Sequence, residues 1–198
     1  MSGNISHRDI YTNQNYSREK TSDRLVWNSF KEGSRTTFQY IYDQNFERLL
    51  NYGLNICSDQ SLVEDQIQEL FIYLWKKKEN LDIKISITTY LIWCLRNRLI
   101  KTLRLSKGIT LDETLDVIDK NPFQDQADNS EKLKSAVDAL PPKQREVIYL
   151  KYYQNLGGEE ISKIMNITIG TAYNLLSRAI SNLRKTIQAL IIFSPLFG

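Results

Sequence analysis

The chain has 198 residues, 41% hydrophobic and 25% charged, with only 8 Gly, 4 Pro and a net charge of +3. That suits one ordinary domain or two small ones of a folded, helix-rich protein and excludes a low-complexity or disordered chain. Cys57 and Cys94 have no close Cys or His partner and the sole histidine, His7, lies in a polar leader, so no zinc or disulfide framework can be argued and a reducing compartment is the default.

Residues 1 to about 22 are polar and carry no apolar run of the signal-peptide kind. The longest apolar stretch, ALIIFSPLF near the C-terminus, is far shorter than the ~20 residues a membrane span needs. A cytoplasmic protein is expected. From Leu25 onward, Phe30, Phe38, Ile41, Tyr42, Phe46, Leu49, Leu50 and Tyr52 recur at three- and four-residue steps, with Gly33-Ser34 as a break between two helices. A third helix is predicted over about Ser61 to Lys78 and a fourth over about Ser86 to Lys107, the four sharing one core.

The third helix has a continuous apolar face of Val63, Ile67, Leu70, Phe71 and Leu74. Asp65, Gln68, Ile72, Trp75 and Lys76 lie on a different side. An exposed Ile and Trp beside acid and amide suit a protein-docking stripe, whereas a wide core face reaching Trp75 is the plainer alternative. Glu64, Asp65 and Glu69 raise a magnesium-dependent helical hydrolase as an enzyme alternative, but the fourth helix offers no carboxylate to complete such a site. There is no nucleophile with a neighbouring base and no phosphate-cradling glycine loop, so no catalytic residue, cofactor, metal or small-molecule substrate is assigned.

Between Ile83 and Leu111 there is no acid, while Lys84, Arg96, Arg98, Lys101, Arg104 and Lys107 are basic. Tyr90, Trp93, Asn97, Lys101 and Arg104 follow helical spacing and share one face. Rings that stack on bases, interleaved with cations that track phosphates, suit single-stranded nucleic acid. The alternative is that Tyr90 and Trp93 are core and the cations a solvated face. The charge then reverses through Asp112, Glu113, Asp116, Asp119, Asp125 and Asp128 in a stretch without sustained periodicity. It reads as a flexible acidic linker.

Beyond it, Pro141-Pro142 stops one helix and opens the next, and Asn155 to Gly158 make a turn before Glu159-Glu160. A short helix with Ile161, Ile164 and Met165 then meets the break Thr-Ile-Gly-Thr, Thr168 to Thr171. The following helix is apolar along Ala172, Leu175, Leu176, Ala179, Ile180, Leu183 and Ile187, and polar along Thr171, Asn174, Ser177 and Arg178, with Tyr173 flanking. Thr168 is the expected N-cap. This is the helix-turn-helix pattern, and its polar side chains are of the kinds that reach base edges and phosphates; an ordinary wet helix face is the alternative. The fold expected is all-α: a four-helix N-terminal domain over 23–107, a linker over 108–130, and a helix-turn-helix domain over 131–190.

The order of these motifs resembles the extracytoplasmic-function (ECF) sigma factors of bacterial RNA polymerase. WNSFKEGSRTTFQYIYDQNFERLLNYG is similar to their opening aromatic pattern, with Ser34 where an acid or amide is commoner. VEDQIQELFIYLW is similar to their Glu-Asp-x-x-Gln-Glu-x-Phe-x-x-x-Trp motif, and TYLIWCLRNRLIKTLR to the helix that carries Arg-Asn and ends in Arg. The stretch from LPPKQREVIYL to SRAISNLR resembles their fourth conserved region throughout.

The resemblance implies a promoter-specificity subunit whose partners are core RNA polymerase, promoter DNA and an anti-sigma factor. Polymerase docking falls on Asp65, Gln68, Glu69, Phe71 and Trp75; Phe71 also belongs to the apolar face. The −10 element falls to Tyr90, Trp93, Arg96, Asn97, Arg98 and Lys101, and the −35 element to Thr171, Tyr173, Asn174, Ser177 and Arg178. Many members are basic where Tyr173 and Leu175 stand, so fewer phosphate contacts are expected here. A stand-alone helix-turn-helix regulator of duplex DNA is the alternative; it leaves the docking stripe and the Tyr/Trp helix without a role.

Overall fold

A computed structural model of the chain describes residues 23–107 and 130–193, and among these the only regular structure is helical. The polar leader, the linker residues 108–129 and the end of the C-terminal apolar stretch lie outside the described residues. Helix α1 covers 23–31, α2 Arg35–Leu54, α3 Gln60–Lys77 and α4 Ile87–Lys107. The C-terminal half holds α5 Ser130–Asp138, α6 Pro142–Ile148, α7 Gly158–Met165 and α8 Ile169–Phe193.

The helix boundaries follow local chemistry. Gly33, at φ +91°, takes the left-handed position after α1; its N–H bonds Phe30 O and the Ser34 N–H reaches back to Ser29 O, which satisfies two orphan carbonyls. Ser34 then caps α2 by accepting from the Thr37 N–H at 3.2 Å, and Asp59 caps α3 by accepting from Leu62 N at 3.0 Å. Pro142 opens α6, and the chain leaves that helix through a π-turn over Tyr149–Tyr153.

The four N-terminal helices do share a core. Leu49, Tyr52, Ile67, Leu70, Leu74, Leu91, Leu95 and Leu99 are all buried. An aromatic cluster fills the end nearest α1: Phe30 stacks on Phe38, and Trp75 lies 5.1 Å from Phe38. Asn45, buried on α2, accepts from Thr88 on α4 at 2.7 Å and so fixes the register of these two helices. The buried cluster then continues into the C-terminal helices through Val147, Tyr149, Leu150, Ile161 and Ile164. The two halves are packed together, which the sequence pattern of separate domains on a linker did not anticipate.

Candidate nucleic-acid and protein-docking surfaces

On α3, Asp65, Gln68, Glu69 and Ile72 are exposed and share one face, so the stripe is outward. Ile72 retains 46% exposure, high for an isoleucine on a packed helix. Phe71, in contrast, is buried, its ring edge-on to Tyr42 at 4.8 Å and to Phe38 at 5.9 Å. Its place is in the core beneath the stripe. Trp75 is half-buried, with the Lys78 ammonium 4.5 Å above its ring. Arg35, Phe38 and Tyr42 of α2 join Gln68, Ile72, Trp75 and Lys76 of α3 to line an open, largely apolar groove of about 730 Å³. Among the described residues, no group of three or more His, Cys, Asp or Glu side chains is arranged to hold a metal ion.

A second cleft, of about 460 Å³, runs between α3 and α4. Tyr90, Trp93, Asn97, Arg98 and Lys101 line it from α4, so the structure brings together five of the residues expected on that surface. The Tyr90 and Trp93 rings lie 6.1 Å apart, and Trp93 is exposed. Gln66, Leu70 and Tyr73 form the opposite wall, and the Arg98 guanidinium sits 5.5 Å over the Tyr73 ring. Tyr73 was not singled out by sequence because its helical neighbours are divided between core and stripe. Cys94 also lines the cleft; burial pushes its thiol up to about 11, against the opposing pull of the Tyr90 hydrogen bond and Arg98. Arg104, on the same nominal stripe, is half-buried and does not line the cleft.

Arg96 lies elsewhere. It is buried on the side of α4 that meets the C-terminal half, where Nε donates to Glu146 Oε1 at 2.7 Å and Nη2 to Oε2 at 3.3 Å. The Tyr52 hydroxyl donates to the same Oε1 at 2.8 Å. Burial pushes Tyr52 well above its usual range and the adjacent carboxylate raises it further, so it stays a donor. Burial alone would lower Arg96, but Glu146 and Tyr52 more than offset that and keep it charged. In this arrangement the Arg96 guanidinium faces a carboxylate and not solvent.

In the C-terminal half, Asn166 takes the left-handed conformation at φ 54°, and the Ile167 N–H returns to Ser162 O at 2.9 Å, closing α7. Thr168 Oγ1 accepts from Thr171 N at 3.1 Å and starts α8. The break thus falls at Asn166–Thr168, and Gly170 sits inside the first turn of α8, not in the turn itself. Thr171, Tyr173, Asn174, Ser177 and Arg178 are all exposed on α8, while Ala172 and Ala179 are buried against the core. The Tyr173 ring tip rests against Gly158 at the start of α7, so closely that a Cβ there would lie 2.7 Å from Cζ.

The family model described as Sigma-70 region 2 matches residues 41–108, and that described as Sigma-70, region 4 matches residues 130–183, together more than half of the chain. The chain is 26% identical over 165 residues to the ECF RNA polymerase sigma factor SigX of Bacillus subtilis, covering 78% of this chain and 85% of that one. It is 27% identical over 176 residues to SigW of the same organism, covering 81% and 94%. The chain belongs to the ECF sigma factors.

As a sigma factor it binds core RNA polymerase and directs it to promoters for transcription initiation; the duplex-DNA regulator leaves the region 2 match unexplained. In fold, the chain is similar to the sigma factor RpoE solved in complex with the anti-sigma factor NepR from Bartonella quintana, with TM-score 0.56, 21% identity, and 76% of this chain and 96% of that one covered. It is also similar to CnrH solved with the cytosolic domain of CnrY, with TM-score 0.58, 16% identity, and 84% and 97% covered. Among the described residues no helix is long and apolar enough to cross a membrane.

Proposed function

We propose that this sigma factor divides its work among three surfaces. The α3 stripe of Asp65, Gln68, Glu69 and Ile72, with the edge of Trp75, docks on core polymerase, and Phe71 supports it from beneath. The α3–α4 cleft holds the melted strand of the −10 element: Tyr90 and Trp93 offer ring faces to unstacked bases, Asn97 offers an amide to a base edge, and Arg98 and Lys101 track the backbone. Arg96 joins them only when freed from Glu146. The exposed face of α8, with Thr171, Tyr173, Asn174, Ser177 and Arg178, enters the major groove of the −35 element. The functional units are residues 23–107 and 131–190, tethered by 108–130. Binding two DNA elements through tethered units raises the effective concentration of the second for its site.

The observation that carries this reading is the cleft: the exposed rings of Tyr73 and Trp93 converge there from two helices beside the α4 cations Arg98 and Lys101, on a surface that a duplex-only regulator has no use for. The protein acts without catalysis of its own, in the cytoplasm, and the solved likeness to a sigma factor bound by an anti-sigma factor supports control by such a partner. Arg178→Ala tests the division. It is expected to weaken −35-dependent initiation by roughly 10-fold to 100-fold, the range for one lost base or phosphate contact, with polymerase binding unchanged. Equal loss of polymerase binding in a folded variant would refute the separate roles.

A further inference from the structure

The α3–α4 cleft is asymmetric in charge. Arg98 and Lys101 stand on the α4 wall, whereas Gln66, Leu70 and Tyr73 make the α3 wall neutral. A single strand lying in the cleft gains most by running its phosphates along α4, which turns its bases towards α3. On that wall Tyr73 supplies the one ring among the described residues, and it is 39% exposed. Gln66, Leu70 and Tyr73 follow at four- and three-residue steps along one edge of α3, about 100° round the helix from the outward Ile72. Tyr73 is part neither of the hydrophobic core nor of the docking stripe, so neither accounts for an aromatic residue there.

The ring is occupied by a side chain from the other wall. The Arg98 guanidinium reaches across the cleft and lies 5.5 Å over its centroid. Among the described residues no carboxylate pairs with Arg98. A cation over an exposed phenol ring is weakly held, whereas the same guanidinium on a phosphate makes charge-assisted, two-pronged hydrogen bonds. A nucleobase carries a π-face of its own and stacks on such a ring. One nucleotide therefore replaces the resting contact with two: its phosphate takes Arg98 and its base takes Tyr73. The cleft, at about 460 Å³, is within the size range of sites that enclose small ligands.

We propose that Tyr73 is a base-stacking residue of this sigma factor: one unpaired base of the −10 strand lies on its ring in place of Arg98, and Arg98 moves to the phosphate beside that base. This role rests on the assignment of the cleft to the −10 strand. It adds to Tyr90 and Trp93 of α4 a third ring from the opposite wall. Stacking tolerates every base, so Tyr73 strengthens the hold on the melted strand more than it selects among sequences.

The test uses holoenzyme assembled from the full chain and purified core polymerase, on a promoter found by run-off transcription whose −10 element is opened by mismatches. Tyr73→Leu keeps apolar bulk without a π-face, and Tyr73→Phe keeps the face without the hydroxyl. Affinity for this template is expected to fall roughly 5-fold to 100-fold for Tyr73→Leu and to stay within about twofold for Tyr73→Phe. Binding to core polymerase should be the same for both variants and the wild type. In a second arm an abasic site is placed at each −10 position of each strand in turn. At one position the loss caused by the missing base should vanish in Tyr73→Leu, which marks the base that lies on the ring. Salt dependence separates the two exchanged contacts. Arg98→Gln should flatten the slope by about 0.7, one phosphate on a single strand, and Tyr73→Leu should leave it unchanged.

A Tyr73→Phe holoenzyme as weak as Tyr73→Leu would overturn the stacking role. So would abasic losses that match between Tyr73→Leu and the wild type at every position. An equal loss of core polymerase binding in Tyr73→Leu would place Tyr73 on the docking side and overturn it as well. If Trp93→Leu weakened template binding and Tyr73→Leu did not, the role of Tyr73 alone would be struck. If neither did, the assignment of the cleft to the −10 strand would fail and Tyr73 with it.

Discussion

Single residues set how the reading surfaces are presented. Tyr173 is 58% exposed, yet its ring tip is seated on Gly158, where a Cβ would come within 2.8 Å of the hydroxyl. Gly158→Ala should therefore shift the ring at little cost in stability, because the obstructing atoms are the far end of a side chain. The expected outcome is a loss of −35 DNA affinity of about 1 kcal/mol that disappears in the Tyr173→Ala background, as a double-mutant cycle would show. Cys94 reports on the other surface. With its thiol raised from 9.0 to about 11, thiolate at pH 8 is about 100-fold scarcer than for an unperturbed cysteine. Alkylation should be slow at pH 8, rise about tenfold per pH unit towards 11, and be blocked by single-stranded DNA of the −10 sequence. Peptide mapping separates it from the buried Cys57.

At the scale of elements, α3 carries two faces with different jobs, and mutations should sort accordingly. Asp65→Ala with Ile72→Ala, both exposed, should lower polymerase binding about tenfold and leave thermal unfolding within a degree or two. Phe71→Ala should instead cost about 3–5 kcal/mol of stability through the cavity it opens, read by denaturant unfolding. Most of this was legible in the sequence, since the spacing of Val63, Ile67, Leu70, Phe71 and Leu74 sets α3 to within one residue of its observed ends. Caps are equally local: Thr168 announces the start of α8 because its hydroxyl needs only a backbone N–H three residues on. What periodicity cannot give is the partner of a charged residue. Arg96 falls between Trp93 and Asn97 in sequence, and only packing shows that Glu146, fifty positions away, holds it. Tyr73 was missed for a related reason: its role depends on α4 passing beside it.

For the whole molecule, the linker hides how the halves relate. A Pro- and acid-bearing stretch reads as a tether whether or not the tethered parts adhere, and the polar contacts of Glu146 and Glu160 carry no signature in a helical pattern. The unbroken buried cluster from Tyr52 to Ile164 is a property of the assembled chain. Above all, this chain confers promoter recognition on RNA polymerase. Run-off transcription with purified bacterial core polymerase, with and without the protein, over a pool of genomic promoter fragments tests it most directly. Discrete new transcripts are expected, and they should be lost when either the −10 or the −35 element of their templates is scrambled. Core polymerase that neither binds the protein nor yields new transcripts would contradict it.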